Sequence, residues 1–156
     1  MTRQKIKTCL WFDGNAEEAA EFYVSVFKDR GDSGITGITP GPDGAPLVVA
    51  FRLAGAEFLA LNGELHFRFN EAISLSVDCR SQEELDQLWE KLSADGSPGR
   101  CGWLKDRYGL SWRIAPAILR KLLAGSDRGR ARRVKDALME TTKVDIRALE
   151  AAANTA

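Results

Sequence analysis

The stretch CGWLKDRYGLSWRIAP, residues 101–116, decides the fold class. It predicts two short strands, residues 101–104 and 110–114, joined by a tight turn over residues 105–109. Gly109 supplies the backbone freedom such a turn needs, and Pro116 stops the second strand. Side chains alternate along it, with Trp112 and Ile114 on one face and Ser111 and Arg113 on the other. The first face is core. The second carries a lone cation on the open side of a curved sheet.

Working outward, residues 72–79 predict a strand with Ile73, Leu75 and Val77 on one face and Ala72, Ser74 and Ser76 on the other. Ser81 then caps a helix, with Glu84 placed to reach back. Leu85, Leu88, Trp89 and Leu92 form its buried stripe. The same order occurs earlier. Residues 5–12 alternate as a strand, Cys9 and Trp11 opposite Thr8, Leu10 and Phe12. After the Asp13-Gly14 turn, Asn15 caps a helix with Glu18 behind it, and Ala19, Phe22, Tyr23, Val26 and Phe27 make a stripe. Residues 33–39, 47–53 and 57–62 add strands around the turn-rich loop 40–46, and a loop over residues 63–70 carries the only histidine, His66. Asn15-Ala16-Glu17-Glu18 answers Ser81-Gln82-Glu83-Glu84, and at the same offset Phe22, Tyr23 and Val26 match Leu88, Trp89 and Leu92. Two copies of strand–helix–strands, each too small to bury its sheet face alone, imply paired modules sharing a curved sheet. Helices then cover the outside and a hollow faces inward. Residues 117–124, 128–141 and 146–153 follow as helices.

With 44% hydrophobic and 28% charged residues, the composition is that of a soluble globular protein. The 22 basic and 22 acidic residues balance, so nothing global points to nucleic acid or membrane. No signal-like segment follows Met1 and no apolar run reaches membrane length. Cys9, Cys79 and Cys101 are odd in number and lack metal-ligand spacing, which predicts a reducing, cytoplasmic setting and small buried hydrophobes. Arg120, Lys121, Arg128, Arg130, Arg132, Arg133 and Lys135 crowd the last third, a pattern that predicts a solvated helix face, with docking of a partner as the alternative.

Together, LWFDGNAEEAAEFYVSVF, FLALNG, FNEAISLSVDC and CGWLKDRYGLSWRIAP resemble the PhnB-like branch of the vicinal oxygen chelate superfamily, which includes glyoxalase and bleomycin-resistance proteins. This branch often carries the label 3-demethylubiquinone-9 3-methyltransferase domain. The resemblance runs from about residue 5 to about residue 150. It implies an α+β fold of two βαβββ modules, residues 5–63 and 71–116, within a single domain that ends in a helical extension, residues 117–154. It also implies a homodimer. Active superfamily members take metal ligands (His, Gln or Glu) from the first and last strands of each module. Carried onto this chain, those positions are Thr8, Ala72, Arg113 and either Ala60 or Asn62. Thr8, Ala72 and Arg113 are poor ligands, and a guanidinium has only donors to offer a cation. The branch more commonly has glutamine where Arg113 stands. His66 lacks a second ligand at suitable spacing. No cofactor is therefore predicted, and a divalent metal is disfavoured. The methyltransferase label implies a Gly-rich strand-to-helix turn for S-adenosylmethionine, and the sequence has none.

On this alternation the hollow carries Thr8, Leu10, Phe12, Phe58, Ala60, Asn62, Ser74, Ser76, Trp103, Ser111 and Arg113. The candidate binding set is Arg113, Trp103, Ser111, Thr8, Asn62, Phe58, Ser74 and Ser76, a mixed pocket of the kind small molecules use. The expectation is a small-molecule-binding homodimer whose anionic or aromatic ligand is gripped by Arg113 and stacked on Trp103 or Phe58. The competing reading pairs Arg113 internally with Asp13, Glu57, Glu71 or Asp78, since a buried charge needs a partner. A metal-dependent lyase, isomerase or dioxygenase using the same hollow is the alternative function. Trp11, Trp89 and Trp112 are expected in the core, and residues 105–107 in a solvent-exposed charged turn.

Overall fold

The strand–helix–strands repeat is carried out twice in the computed structural model. Residues 3–64 and 66–155 are described; Met1 and position 65 of the expected 63–70 loop lie outside them. The chain forms two compact units, Met1–Arg68 and Phe69–Ala156.

The first unit runs β1 (Thr8–Phe12), α1 (Ala16–Phe27), β2 (Gly34–Pro40), β3 (Pro46–Leu53) and β4 (Ala56–Asn62), in sheet order β1-β4-β3-β2. The second repeats this with β5 (Ser74–Cys79), α2 (Gln82–Ser93), β6 (Ser97–Pro98), β7 (Trp103–Lys105) and β8 (Ser111–Pro116), in order β5-β8-β7-β6. In each, the first strand pairs parallel with the last and the other pairings are antiparallel. The fold is α+β, with two four-stranded mixed sheets. Three helices close the second unit: α3 (Ile118–Ala124), α4 (Arg128–Met139) and α5 (Ile146–Asn154). No described helix is long and apolar enough to cross a membrane.

Both central helices form where capping and periodicity place them. Ser81 accepts from Glu84 N at 3.1 Å, while the Glu84 carboxylate accepts from Arg80 N at 3.3 Å. All four residues of the expected α2 stripe are buried. Asn15 departs from expectation, because its side chain caps nothing. The orphan Ala16 N–H instead donates to Asn62 Oδ1 at 2.9 Å, so β4 supplies the cap from across the fold.

In the first unit the expected face assignment is reversed. Leu10, Phe12, Phe58 and Ala60 are buried on the α1 side, together with Val49 and Phe51. Phe51 stacks between Tyr23 of α1 and Phe58, with ring centroids 6.2 Å and 5.4 Å away. Cys9 is exposed and Trp11 half-buried on the opposite face, so neither is the core residue expected of it. Both faces of β1 are apolar, and tertiary packing rather than alternation selects the inner one. Of the cysteines only Cys79 is fully buried. Trp89 and Trp112 do lie in the core.

The C-terminal helices are bound into the second unit. Val134, Val144 and Leu149 are fully buried. Arg133 donates from Nε to Ala152 O and from Nη2 to Ala153 O, at 3.0 and 3.1 Å, satisfying carbonyls at the end of α5. That residue of the basic run is a helix cap, not part of a solvated face.

Candidate functional site

β8 lies between β5 and β7, and its register decides what its open face can do. Arg113 stands opposite Ser76 on one side and Trp103 on the other, and Ser111 stands opposite Ser74. The Arg113 guanidinium donates from Nη1 to Ser76 Oγ at 3.4 Å and sits 5.3 Å above the Trp103 ring. Trp103 in turn donates from Nε1 to Ser74 Oγ at 3.3 Å. Cross-strand neighbours on one face of a sheet meet in this way, and a cation over an indole gains from the ring quadrupole. Five of the expected binding residues, Ser74, Ser76, Trp103, Ser111 and Arg113, therefore share one surface.

Each of the four acids offered as internal partners of Arg113 faces another group. Asp13 faces His66 at 3.1 Å and Glu57 faces Arg52 at 3.4 Å. Asp78 faces Arg120 at 3.8 Å, and Glu71 is paired with Lys105. The hydrogen bond from Lys105, reinforced by its charge, holds the Glu71 carboxyl below its usual range. Among the described residues no carboxylate pairs with the half-buried Arg113.

Two cavities flank this surface. One, of about 290 Å³, lies between the end of β8 and α3 and is lined by Asp78, Arg113, Ala115, Leu119, Arg120 and Leu123 among others. The other, of about 470 Å³, is lined by Trp103, Ser111, Lys105, Glu71 and the β6 segment. Arg113 and Trp103, though in contact, thus open into different cavities.

The turn that carries β8 is not the exposed charged turn expected. Asp106 is 3% exposed, and its carboxylate accepts from Tyr108 N at 2.8 Å, Leu110 N at 3.1 Å and Trp112 Nε1 at 2.9 Å. An Asp that bonds its own downstream backbone folds the chain back on itself, and here it also fixes the indole beneath β8. At the other end of the hairpin, Cys101 N and Gly102 N donate to Thr141 O and Thr142 O at 2.8 and 2.9 Å. Cys101 and Gly102 both have positive φ, 59° and 88°. A Cβ on Gly102 would stand 2.9 Å from Ile114 O, so only glycine fits there. The C-terminal segment thereby positions the strand that bears Trp103.

The first-unit candidates are placed differently. Thr8 is exposed, opposite Phe58 in register on the α1 side. Phe58 is packed on Phe51 and so offers no stacking surface. Asn62 uses its carbonyl on Ala16 N and its amide on Pro46 O at 2.9 Å. Ala72 precedes β5 in a turn, and His66 is an exposed loop residue. Sequence reasoning missed Asp106 and the α3 wall. Asp106 with Gly109 was a legible turn signature, and Leu119 and Leu123 fall at i and i+4.

A divalent ion, as the superfamily implies, needs three or more side-chain donors. Among the described residues no three His, Cys, Asp or Glu converge. The open face of β5 and β8 offers hydroxyls and a guanidinium, and the residues do not fit a metal of that kind.

The profile of the 3-demethylubiquinone-9 3-methyltransferase family matches residues 4–115. The chain belongs to this family. Among solved structures, a Bacillus cereus PhnB protein carrying the same methyltransferase name is 37% identical, with a TM-score of 0.62, over 70% of this chain and 96% of that one. Protein PA1353 from Pseudomonas aeruginosa is 17% identical, with a TM-score of 0.60, over 73% and 98% of the two chains. FosX from Listeria monocytogenes, a fosfomycin resistance protein complexed with Mn(II) and sulfate, is 15% identical, with a TM-score of 0.53, over 72% and 90%. These last two share the fold, that of the glyoxalase and vicinal oxygen chelate superfamily. No curated protein sequence matches the chain.

Proposed function

We propose that this PhnB-like protein is a small-molecule-binding homodimer that takes an anionic ligand at Arg113. One observation carries the reading: a half-buried guanidinium on an open sheet face, with a serine and an indole for neighbours and no carboxylate paired to it among the described residues. Such a group retains donors for a carboxylate or phosphonate, and an ionised partner makes each hydrogen bond roughly twice as strong as a neutral one. Ser76 and Ser74 hold the guanidinium and the indole in place, and Ser111 lies buried opposite Ser74 in register. The hydroxyls, indole and guanidinium around Arg113 are poor ligands for a divalent metal, which favours binding over the metal-dependent chemistry of active relatives. Asn62 and Phe58, also expected to bind, are engaged on the helix side of their own sheet, and exposed Thr8 stands opposite Phe58 in register, so all three are left out of the proposed set.

The test is calorimetric titration of benzoate, phenylphosphonate and hexanoate into the wild type and an Arg113→Gln variant, with sedimentation equilibrium to establish the dimer. At least one anion should bind the wild type, and the variant should lose about tenfold or more in affinity, as loss of a charged hydrogen bond implies. Equal binding by both proteins, or none by either, removes the reading.

A further inference from the structure

The cavity that Arg113 enters has a character of its own, distinct from the Trp103 cavity beside it. Its floor is Ala115 and Pro116, both buried, and its wall is Leu119 and Leu123 of α3. No aromatic residue lines it. Three charges do: Arg113, Arg120 and Asp78, of which the last two face each other at 3.8 Å across the rim. One positive charge, that of Arg113, is left over. Taking Arg113 as the anion anchor proposed above, we infer that the ligand is an aliphatic monocarboxylate, its carboxylate on Arg113 and its hydrocarbon body against Leu119 and Leu123.

Size, charge and shape each limit the ligand. A dry cavity of roughly 150 Å³ accommodates the six carbons of benzene, so the 290 Å³ here has room for about a dozen non-hydrogen atoms. A second carboxylate in the cavity meets the Asp78 carboxylate in its lining, where like charges are unfavourable, unless it first separates Asp78 from Arg120. A flat ring gains nothing specific from alanine, proline and leucine walls, because the one nearby indole opens into the other cavity and already carries Arg113 over its ring. Flexible or branched alkyl chains fill such walls without that loss.

Hexanoate, adipate, benzoate and phenylphosphonate are titrated into the wild type, Arg113→Gln and Leu123→Trp, the last chosen to fill the cavity from its half-buried wall. Hexanoate should bind the wild type about tenfold more tightly than adipate or benzoate, a ratio within reach of one pocket's discrimination. It should lose about tenfold or more in each variant. If Leu123→Trp does not fold by circular dichroism, Ala124→Leu, from the exposed last turn of α3, supplies the same block. Arg113-dependent binding of benzoate, phenylphosphonate or adipate at least as tight as that of hexanoate overturns the inference and leaves the anion reading standing. Hexanoate binding unaltered by the cavity-filling variants also overturns it. Failure of all four anions to bind removes both.

Discussion

Replacing Asp106 with alanine should destabilise the second unit by about 3–5 kcal/mol, through loss of hydrogen bonds and not of volume. The carboxylate accepts from Tyr108 N, Leu110 N and Trp112 Nε1, and two of these donors lie out of reach of water: Leu110 is 3% exposed and Trp112 2%. Orphaning a buried donor costs about 1–3 kcal/mol each. Tyr108 N–H, at 2.8 Å and only partly buried, can recover water and contributes less. The sum is a large fraction of the roughly 5–15 kcal/mol that holds an ordinary domain folded. Urea denaturation followed by circular dichroism reads it, provided the slope of the transition stays constant. Asp106→Asn gives a sharper check. Its amide keeps one acceptor and turns the other into a donor; with the oxygen retained by the two backbone N–H groups, the Trp112 indole N–H meets an N–H. Trp112→Phe should then cost less in the Asp106→Asn background than in the wild type, a coupling that a double-mutant cycle isolates. An Asp106→Ala loss under about 1 kcal/mol, or zero coupling, refutes the view that this carboxylate organises the β7–β8 turn.

Three further outcomes follow from the same geometry. Gln82 ties α2 to the segment before α5, donating to Val144 O at 3.0 Å and accepting from Ile146 N at 2.8 Å, so Gln82→Ala should cost about 2 kcal/mol in thermal or urea unfolding; an unchanged midpoint counts against the stitch. The Asp86 carboxyl is held below its ordinary value of 3.8 by the Gln82 hydrogen bond and by Lys143. Because the folded value is the lower one, its contribution is present above the unfolded value and lost as pH falls through the folded one. The stability gap between wild type and Asp86→Asn should therefore shrink on acidification below pH 3.8, staying under about 1 kcal/mol throughout for so exposed a pair; a gap constant with pH contradicts this. In the first unit, a Cβ at Gly63 would stand 1.8 Å from Trp11 Cζ2, and Trp11 makes an edge contact with Phe67 at 4.9 Å. Gly63→Ala should push the indole aside and alter the near-ultraviolet dichroism, at a cost of about 1–3 kcal/mol; an unaltered spectrum excludes that displacement.

How much of this was legible in the sequence depended on whether a strand's two faces differ in chemistry. Along β5 and β8 they do. Leu75, Val77, Trp112 and Ile114 are all apolar, whereas Ser74, Ser76, Ser111 and Arg113 are all polar, so alternation alone assigned the faces and brought these four binding candidates together, with Trp103 of β7 beside them. Along β1 they do not. Cys9 and Trp11 compete with Leu10 and Phe12 on hydrophobicity, and the outcome was set by Tyr23 and Phe51, whose stack no period in β1 encodes. That reversal carried Phe58 and Asn62 into the wrong surface, and Asn62 proved to be the missing cap for α1. The helices were legible for the opposite reason. A stripe such as Leu85, Leu88, Trp89 and Leu92 is redundant, since four residues repeat the same statement and one exception cannot overturn it. Least legible were single long-range bonds: Thr141 O and Thr142 O to the backbone before β7, or Arg133 to the end of α5. These depend on where chain segments distant in sequence come to rest, and a charge run or a threonine pair does not announce its partner. The candidate site sits at the boundary between the two kinds of information. Its cation and hydroxyls are written in alternation, and the leucine wall that would select the ligand appears only once α3 folds back beside β8.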